Sequence, residues 1–443
     1  MPLAKPTSRN PWAWVTTLYF AEGIPYVVVM TVSVIMYKRL GISNTDIALY
    51  TSWLYLPWVI KPLWSPVVEL FRTKRFWIVA MQLIIGAALA AVAFTIPIPA
   101  FFQYTLAIFW LMAFSSATHD IAADGFYMLG LPEHQQAAFV GVRSTFYRFS
   151  MITGQGLLVV VAGQLETRFR DSAVEAGQLE AHLQGSIQMA WAITFGILAA
   201  LFLLFFIYHK FILPYPVSDA PAVREPGRSP MAEALRIFAL FFKKKYIVPT
   251  IAFLLLYRFA EAQLVKLVSP FLLDSREVGG LGLTTSEVGI VYGTVGIIAL
   301  TLGGLLGGFV VSRHGLKTWL WPMVFIIHTP DLAFVYLSQT MPENFFIINC
   351  AVALEQFGYG FGFTAYMMYM ILVSAGEHKT AHYAICTGFM ALGMMIPGMF
   401  SGAVQEWLGY QGFFLWVILS TIPGFLVAAL VKIPAGFGKK AQA

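Results

Sequence analysis

From residue 12 to residue 433 the chain is a succession of apolar runs, each about as long as a bilayer is thick. A hydrocarbon core of about 30 Å takes about 20 apolar residues per helix. On that measure the runs fall near 12–37, 46–69, 75–96, 100–128, 138–164, 186–211, 246–273, 286–311, 318–338, 344–374, 381–405 and 413–433, numbered here as spans 1 to 12. Of the 443 residues, 58% are hydrophobic and 11% charged; soluble domains carry about 25% charged residues. Mean hydropathy is +0.73. Soluble domains of this size need a far larger polar surface and are excluded. With two cysteines, Cys350 and Cys386, both in apolar runs, a disulfide scaffold is excluded too. The expectation is an all-α polytopic membrane protein.

The net charge of +6 gives no reason to invoke nucleic acid, because the basic residues sit in short loops between apolar runs. Lysine and arginine concentrate on the cytoplasmic side of membrane proteins. With the N-terminus placed inside, eighteen of them fall inside and five outside (Lys38, Arg39, Arg168, Arg170 and Arg276). Both termini are therefore expected in the cytoplasm, and the chain in the inner membrane. The start, Met1 to Asn10, is short and polar and does not read as a cleavable signal peptide.

The longest interruption runs from Leu213 to Lys245, Pro-rich at first and amphipathic over Met231–Phe238. It divides the spans six and six: 1–211, a cytoplasmic linker 212–245 with a surface helix, and 246–443. An internal repeat supports the division. Phe20-Ala21-Glu22 recurs as Phe259-Ala260-Glu261, 239 positions on, and Tyr127-Met128 recurs as Tyr366-Met367 at the same offset. Thr45-Asp46 and Ser286-Glu287 each read as a capping residue followed by an acid.

Charge at bilayer depth costs about 2.5–3.5 kcal/mol on insertion scales and usually faces a cavity or a partner. At 1.5 Å per residue, Glu22, His119, Asp120, Arg148, Arg258, Glu261 and Glu355 all sit about 12–22 Å inside their spans. They lie on spans 1, 4, 5, 7 and 10. Antiparallel spans 4 and 5 give a constant residue sum, which sets Asp124 opposite Arg143 and brings His119 and Asp120 level with Arg148. Asp124–Arg143 is expected to be a static pair. Arg258 and Glu261, three apart, can pair on their own helix. Lys61 is expected to pair or to snorkel; Lys266 is read as a gate or a snorkelling lysine. Asp331 and His328 in span 9 are expected to make a structural hydrogen bond. Tyr26 and Tyr359 are candidate substrate-stacking aromatics, along with Tyr19, Phe126, Tyr127, Tyr257, Phe357 and Tyr366.

No phosphate loop, His/Cys metal cluster or nucleophile elbow occurs in the sequence, so an enzyme is not expected. Neither is a cofactor or a metal. A transporter driven by a gradient, working as a monomer in the bilayer, fits.

Several motifs resemble one family. Gly307-Gly308-Phe309-Val310-Val311-Ser312-Arg313-His314-Gly315-Leu316-Lys317 after span 8 resembles the G-x-x-x-D-R-x-G-R signature of the major facilitator superfamily, with Ser312 at the aspartate position. Its counterpart after span 2 holds Glu69 and Arg72. These residues are candidates for an acid–arginine latch. Lys61-Pro62-Leu63-Trp64-Ser65-Pro66, Ala117-Thr118-His119-Asp120-Ile121-Ala122-Ala123-Asp124, Tyr147-Arg148-Phe149-Ser150-Met151 and Leu354-Glu355-Gln356-Phe357-Gly358-Tyr359-Gly360 resemble motifs of the AmpG-like muropeptide permeases, a branch of that superfamily related to acetyl-coenzyme A transporters. His119 stands where that family has glutamine, and Glu22-Gly23-Ile24-Pro25 adds an acid to its Ser-Gly-Leu-Pro.

The resemblance implies two pseudo-symmetric six-helix halves. It also implies proton-coupled import of N-acetylglucosaminyl-anhydro-N-acetylmuramic acid, with or without peptide, or of a related acidic amino-sugar. The alternative is a major facilitator of other cargo: acetyl-coenzyme A, an oligosaccharide, a siderophore or a drug. Substrate contacts are then expected from Glu22, Tyr26, His119, Arg148, Arg258, Glu355 and Tyr359. Proton coupling is expected at Asp120, with Glu261 and Glu355 as further candidates. Lys61, Glu69, Arg72, Asp124, Arg143 and Arg313 are expected to gate or to brace.

Overall fold

The computed structural model describes residues 9–175, 183–219 and 230–439. Over these residues it is helical with no strand. Each of the twelve expected spans has a helical counterpart, but several are interrupted. Nine helices among the described residues are long and apolar enough to cross a membrane, from Pro11–Arg39 to the merged Lys379–Leu430. Span 2 is split into Asn44–Trp53 and Leu56–Leu70, and span 7 into Ile247–Leu256 and Phe259–Leu273. Span 9 is broken by a tight turn at Thr329–Asp331. Spans 11 and 12 run on through Gly409, whose φ of +67° bends the backbone. Spans 1, 5 and 8 contain wider turns at Val28–Val32, Ile152–Leu157 and Gly289–Gly296. Such bulges often mark functional helices.

Local chemistry explains the helix starts. The caps are Ser43 and Thr284, not Thr45 and Ser286 as the sequence suggested. Each accepts from the backbone of an acid three residues on, Asp46 at 3.0 Å and Glu287 at 3.2 Å. Glu287 also reaches back to the Thr284 N–H at 2.8 Å, completing a capping box. Lys74–Thr95 begins with two cations, unfavourable beside a helix N-terminus. Asp219 from the linker offsets them, accepting from Lys74 N at 2.7 Å and Arg75 N at 3.0 Å. The amphipathic run at Met231–Phe238 is part of a helix, Pro230–Phe242. The linker segment 220–229 lies outside the described residues, with Pro221, Arg224, Pro226 and Arg228, as do Lys5, Lys440 and residues 176–182 of the loop after span 5.

The chain forms two compact units: Met1–Met36 with Leu63–Glu233, and Tyr37–Pro62 with Ala234–Ala443. The first has a core around Trp14, Leu18, Phe126 and Leu213. The second has a larger one around Phe253, Tyr257, Tyr366 and Met370. Tyr257 and Tyr366 belong to this packed core, so they are not available to stack on a substrate.

In the second unit span 8 packs on span 10 through glycines, as the glycine-rich run suggested. A Cβ at Gly303 would lie 2.1 Å from Phe357 O, and one at Gly307 2.8 Å from Phe361 O. Gly308, one position on, has nothing within 4 Å. Without a hydrophobic drive between helices in lipid, such close backbone approach holds spans together. Gly303→Ala should therefore destabilise the purified protein by about 1–3 kcal/mol, the usual cost of overpacking. Gly308→Ala should leave it unchanged or slightly more stable. The melting temperatures of the two variants, side by side, check this.

Candidate functional site

Two groups of acids, one in each unit, collect the charges that the sequence places at depth. In the first unit, Glu22 of span 1 meets Asp120 and Asp124 of span 4. One oxygen from each lies within 4.8 Å of the others. Span 5 reaches this point because span 1 carries Gly23, where a Cβ would stand 1.8 Å from Ser150 Oγ. Arg143 then pairs with Asp124 at 2.8 Å, as the antiparallel register required. Tyr19 OH donates to the same Asp124 oxygen at 3.0 Å. The Arg143 guanidinium lies over the Tyr19 ring at 4.5 Å and near Tyr127 at 5.2 Å. Glu22 is buried here, while Asp120 and Asp124 are half-buried. Arg148 is half-buried in the last turn of Glu133–Met151, and Tyr26 is half-buried on span 1.

His119 points elsewhere. It is 1% exposed, and its Nε2 lies 3.1 Å from Gln82 Nε2 of span 3. Gln82 Oε1 lies 3.0 Å from His209 Nδ1, and His209 Nε2 lies 2.9 Å from Thr17 Oγ1. The amide N–H₂ can only donate and the amide oxygen only accept. His119 therefore accepts at Nε2 and holds its proton at Nδ1, while His209 donates from Nδ1 and accepts the Thr17 hydroxyl at Nε2. This buried chain ties spans 1, 3, 4 and 6. Neither Gln82 nor His209 was singled out from sequence, since an amide in an apolar run carries no charge signal.

The second unit gathers Glu261 of span 7, Glu355 of span 10 and Asp331 of span 9, again within 4.8 Å. Span 7 breaks at Arg258, with φ −109° and ψ 24°, so Glu261 sits in the first turn of a new helix. The break frees carbonyls, and Tyr366 OH takes one, Leu254 O, at 2.6 Å; Tyr257 OH reaches Gly362 O at 3.0 Å. Gly358 brings span 10 against the span 9 turn, a Cβ there lying 2.6 Å from Pro330 Cγ. Glu355 is thereby held near Asp331.

Three expectations change here. Arg258 does not pair with Glu261: it donates to Tyr359 OH and lies over Tyr359 and Phe363 at 5.0 and 4.7 Å, while both Glu261 oxygens lack a donor. The break turns the two side chains apart. Asp331 and His328 make no structural hydrogen bond: both Asp331 oxygens and both His328 nitrogens are without partners. Lys266 does not snorkel. It is 3% exposed, donates to Thr51 Oγ1 at 2.9 Å and lies 5.3 Å from the Tyr55 ring.

The residues expected to latch are spread out. Arg72 is exposed, with φ +65°, and lies 5.6 Å from the Phe76 ring. Arg313 is exposed over Phe309 at 4.7 Å, and Ser312 bonds back to Phe309 O at 2.7 Å. The Glu69 side chain lies outside the described residues, and Lys61 is half-buried.

Interrupted helices carrying buried charge recur in both units of this polytopic membrane protein. The model of the Major Facilitator Superfamily matches residues 15–380, and the chain belongs to that superfamily. Within it the chain is AmpG-like. It is 24% identical over 429 residues to the putative transporter AmpG 4 of Rickettsia conorii, covering 93% of this chain and 94% of that protein. It is 24% identical over 428 residues to the anhydromuropeptide permease of Escherichia coli K12, covering 94% of this chain and 78% of that one. Among solved folds, the nucleoside transporter NupG superposes with a TM-score of 0.68 at 16% identity, over 95% of this chain and 98% of that one. An inward-facing bacterial homologue of the human lysosomal transporter Spinster gives 0.68 at 15%, over 94% of both.

The Gln82 bridge predicts a stability hierarchy. Gln82→Leu strands nitrogens on both His119 and His209, each costing about 1–3 kcal/mol when buried without a partner. Thr17→Val strands only His209 Nε2. Thermal unfolding followed by tryptophan fluorescence should rank wild type above Thr17→Val, and Thr17→Val above Gln82→Leu.

Proposed function

We propose that this protein is a proton-coupled importer of muropeptides, N-acetylglucosaminyl-anhydro-N-acetylmuramic acid with or without peptide, or of closely related acidic amino-sugars. It works as a monomer in the inner membrane, with both termini in the cytoplasm. The halves 1–211 and 246–443, joined by 212–245, alternate access. The observation that carries this reading is the Glu22–Asp120–Asp124 group, with Glu22 buried and Asp124 paired to Arg143, in a chain whose relatives include an anhydromuropeptide permease.

The division of labour follows from the neighbours. Asp124 is committed to Arg143 and Tyr19, which makes it a brace. Asp120 lies within 4.8 Å of Glu22, and acids this close can share a proton. Asp120 is therefore the proton carrier in this reading. Arg148, a cation at membrane depth, takes the substrate's carboxylate in this reading. His119 serves through its Nδ1–H, the only ring position left to it by Gln82. Tyr26 is a further substrate contact on the same unit, and Arg258, Tyr359 and Glu355 are proposed substrate contacts within the other.

The test is uptake into proteoliposomes of labelled anhydro-disaccharide, with and without peptide, under an inward proton gradient. Wild type should concentrate it, and acetyl-coenzyme A should not compete; concentration of acetyl-coenzyme A in its place overturns the cargo. Arg148→Ala should abolish uptake with a melting temperature near wild type, and a fully active variant removes Arg148 from the site. Asp120→Asn should lose gradient-driven accumulation and keep counterflow exchange. Asp120→Asn vesicles that still concentrate substrate against the gradient exclude Asp120 as the carrier.

A further inference from the structure

The acids of the second unit differ from those of the first in one respect: they have almost no donors. Glu261, Asp331 and Glu355 are 0%, 1% and 1% exposed. Both oxygens of Glu261, both of Asp331 and Oε1 of Glu355 are buried without a hydrogen-bond partner, and Gln356 Nε2 serves the remaining Glu355 Oε2 at 2.9 Å. In the first unit Arg143 and Tyr19 supply cation and hydroxyl. Here the nearest cation, Arg258, is spent on Tyr359 and Phe363.

Asp331 is the independent part of the observation. Glu261 and Glu355 are a pair on two facing spans. Asp331 comes from a third, at a break in its helix, and aims a fully buried carboxylate with no partner of its own at that pair. Irregular backbone at membrane depth is tolerated only where it is buried in protein or lines a site. In secondary transporters, discontinuous helices at midplane are where coupling ions bind. Two breaks flank these acids, Tyr257–Arg258 and Thr329–Asp331.

Oxygens no more than 4.8 Å apart leave a point within about 2.8 Å of all three. Three carboxylate oxygens around such a point, one from each acid, with no donor to Glu261 or Asp331, supply the oxygen ligands that hard metal cations prefer. From this geometry we infer that Glu261, Asp331 and Glu355 bind a sodium ion. Sodium suits a gradient-driven carrier, because it is available on both sides of the membrane. The site lies wholly in the unit Tyr37–Pro62 with Ala234–Ala443. Any part the site plays in transport, beside the proton carried at Asp120, rests on the transporter reading; the binding does not.

The test uses the full chain in detergent at fixed pH and ionic strength. Wild type should melt several degrees higher in sodium chloride than in choline chloride, and should bind about one ²²Na⁺ per chain saturably. Asp331→Asn and Glu355→Gln should each lose the sodium increment, whatever their own melting temperature in choline. Asp124→Asn, in the other unit, should keep it. Equal melting of wild type in the two salts, or a full sodium increment in Asp331→Asn, overturns the site. Sodium binding without muropeptide uptake overturns the proposed cargo and leaves the site standing.

Discussion

Hydrocarbon offers no hydrogen bonds, so every polar group carried into the membrane must find its partner within the protein. The arrangement of both units follows from that demand. Asp124 is met by Arg143 and Tyr19, His119 and His209 by one shared amide, and Lys266 by a threonine and the face of a tyrosine. None of these partners is a neighbour in sequence. The spans therefore cannot slide or rotate freely: each polar residue fixes the register of the helix opposite. Glycine does the complementary work, letting backbones come close enough for the contacts to form, at Gly23 for span 5 and at Gly358 for span 9.

The same demand explains where helices are allowed to break. A broken turn exposes carbonyls that lipid cannot satisfy. At span 7 one released carbonyl, Leu254 O, is caught by Tyr366 OH of span 10, and the packing around it is aromatic, with Phe253, Tyr257 and Tyr366 in mutual contact. That support makes the break affordable, and the break turns Arg258 away from Glu261. A continuous helix would have left the two as a self-neutralising pair, three residues apart.

Much of this was legible in the sequence. Run lengths gave the spans, and a constant residue sum gave Asp124–Arg143. The offset between Phe20-Ala21-Glu22 and Phe259-Ala260-Glu261 marked the two acids that anchor the clusters. What could not be read there depends on departures from ideal helix or on neighbours far away in the chain. Pairing Arg258 with Glu261 assumed an unbroken turn. Asp331 was expected to hydrogen-bond with His328, whereas the Thr329–Asp331 turn interrupts the helix and its carboxylate meets Glu261 and Glu355. Gln82 and His209 act across 127 residues, and a lone amide or imidazole on an apolar helix gives no hint of that. Motif searches for metal ligands look for close spacing within one element, and three acids from three spans escape them.

The repeat makes the contrast between the units informative. Glu22 and Glu261 occupy the same place in the two copies of one three-residue motif, and each gathers two more carboxylates. Their surroundings then diverge. The first cluster acquired an arginine from span 5 and a tyrosine one turn away. The second acquired a third acid at a helix break and lost its arginine to aromatic rings. A cluster with a built-in counter-ion can hold or pass a proton without a metal. A cluster of acceptors alone cannot stay charged in a low-dielectric interior unless a cation enters it. One repeated arrangement thus presents two surroundings, one braced by the protein's own arginine and tyrosine and one left with acceptors almost alone.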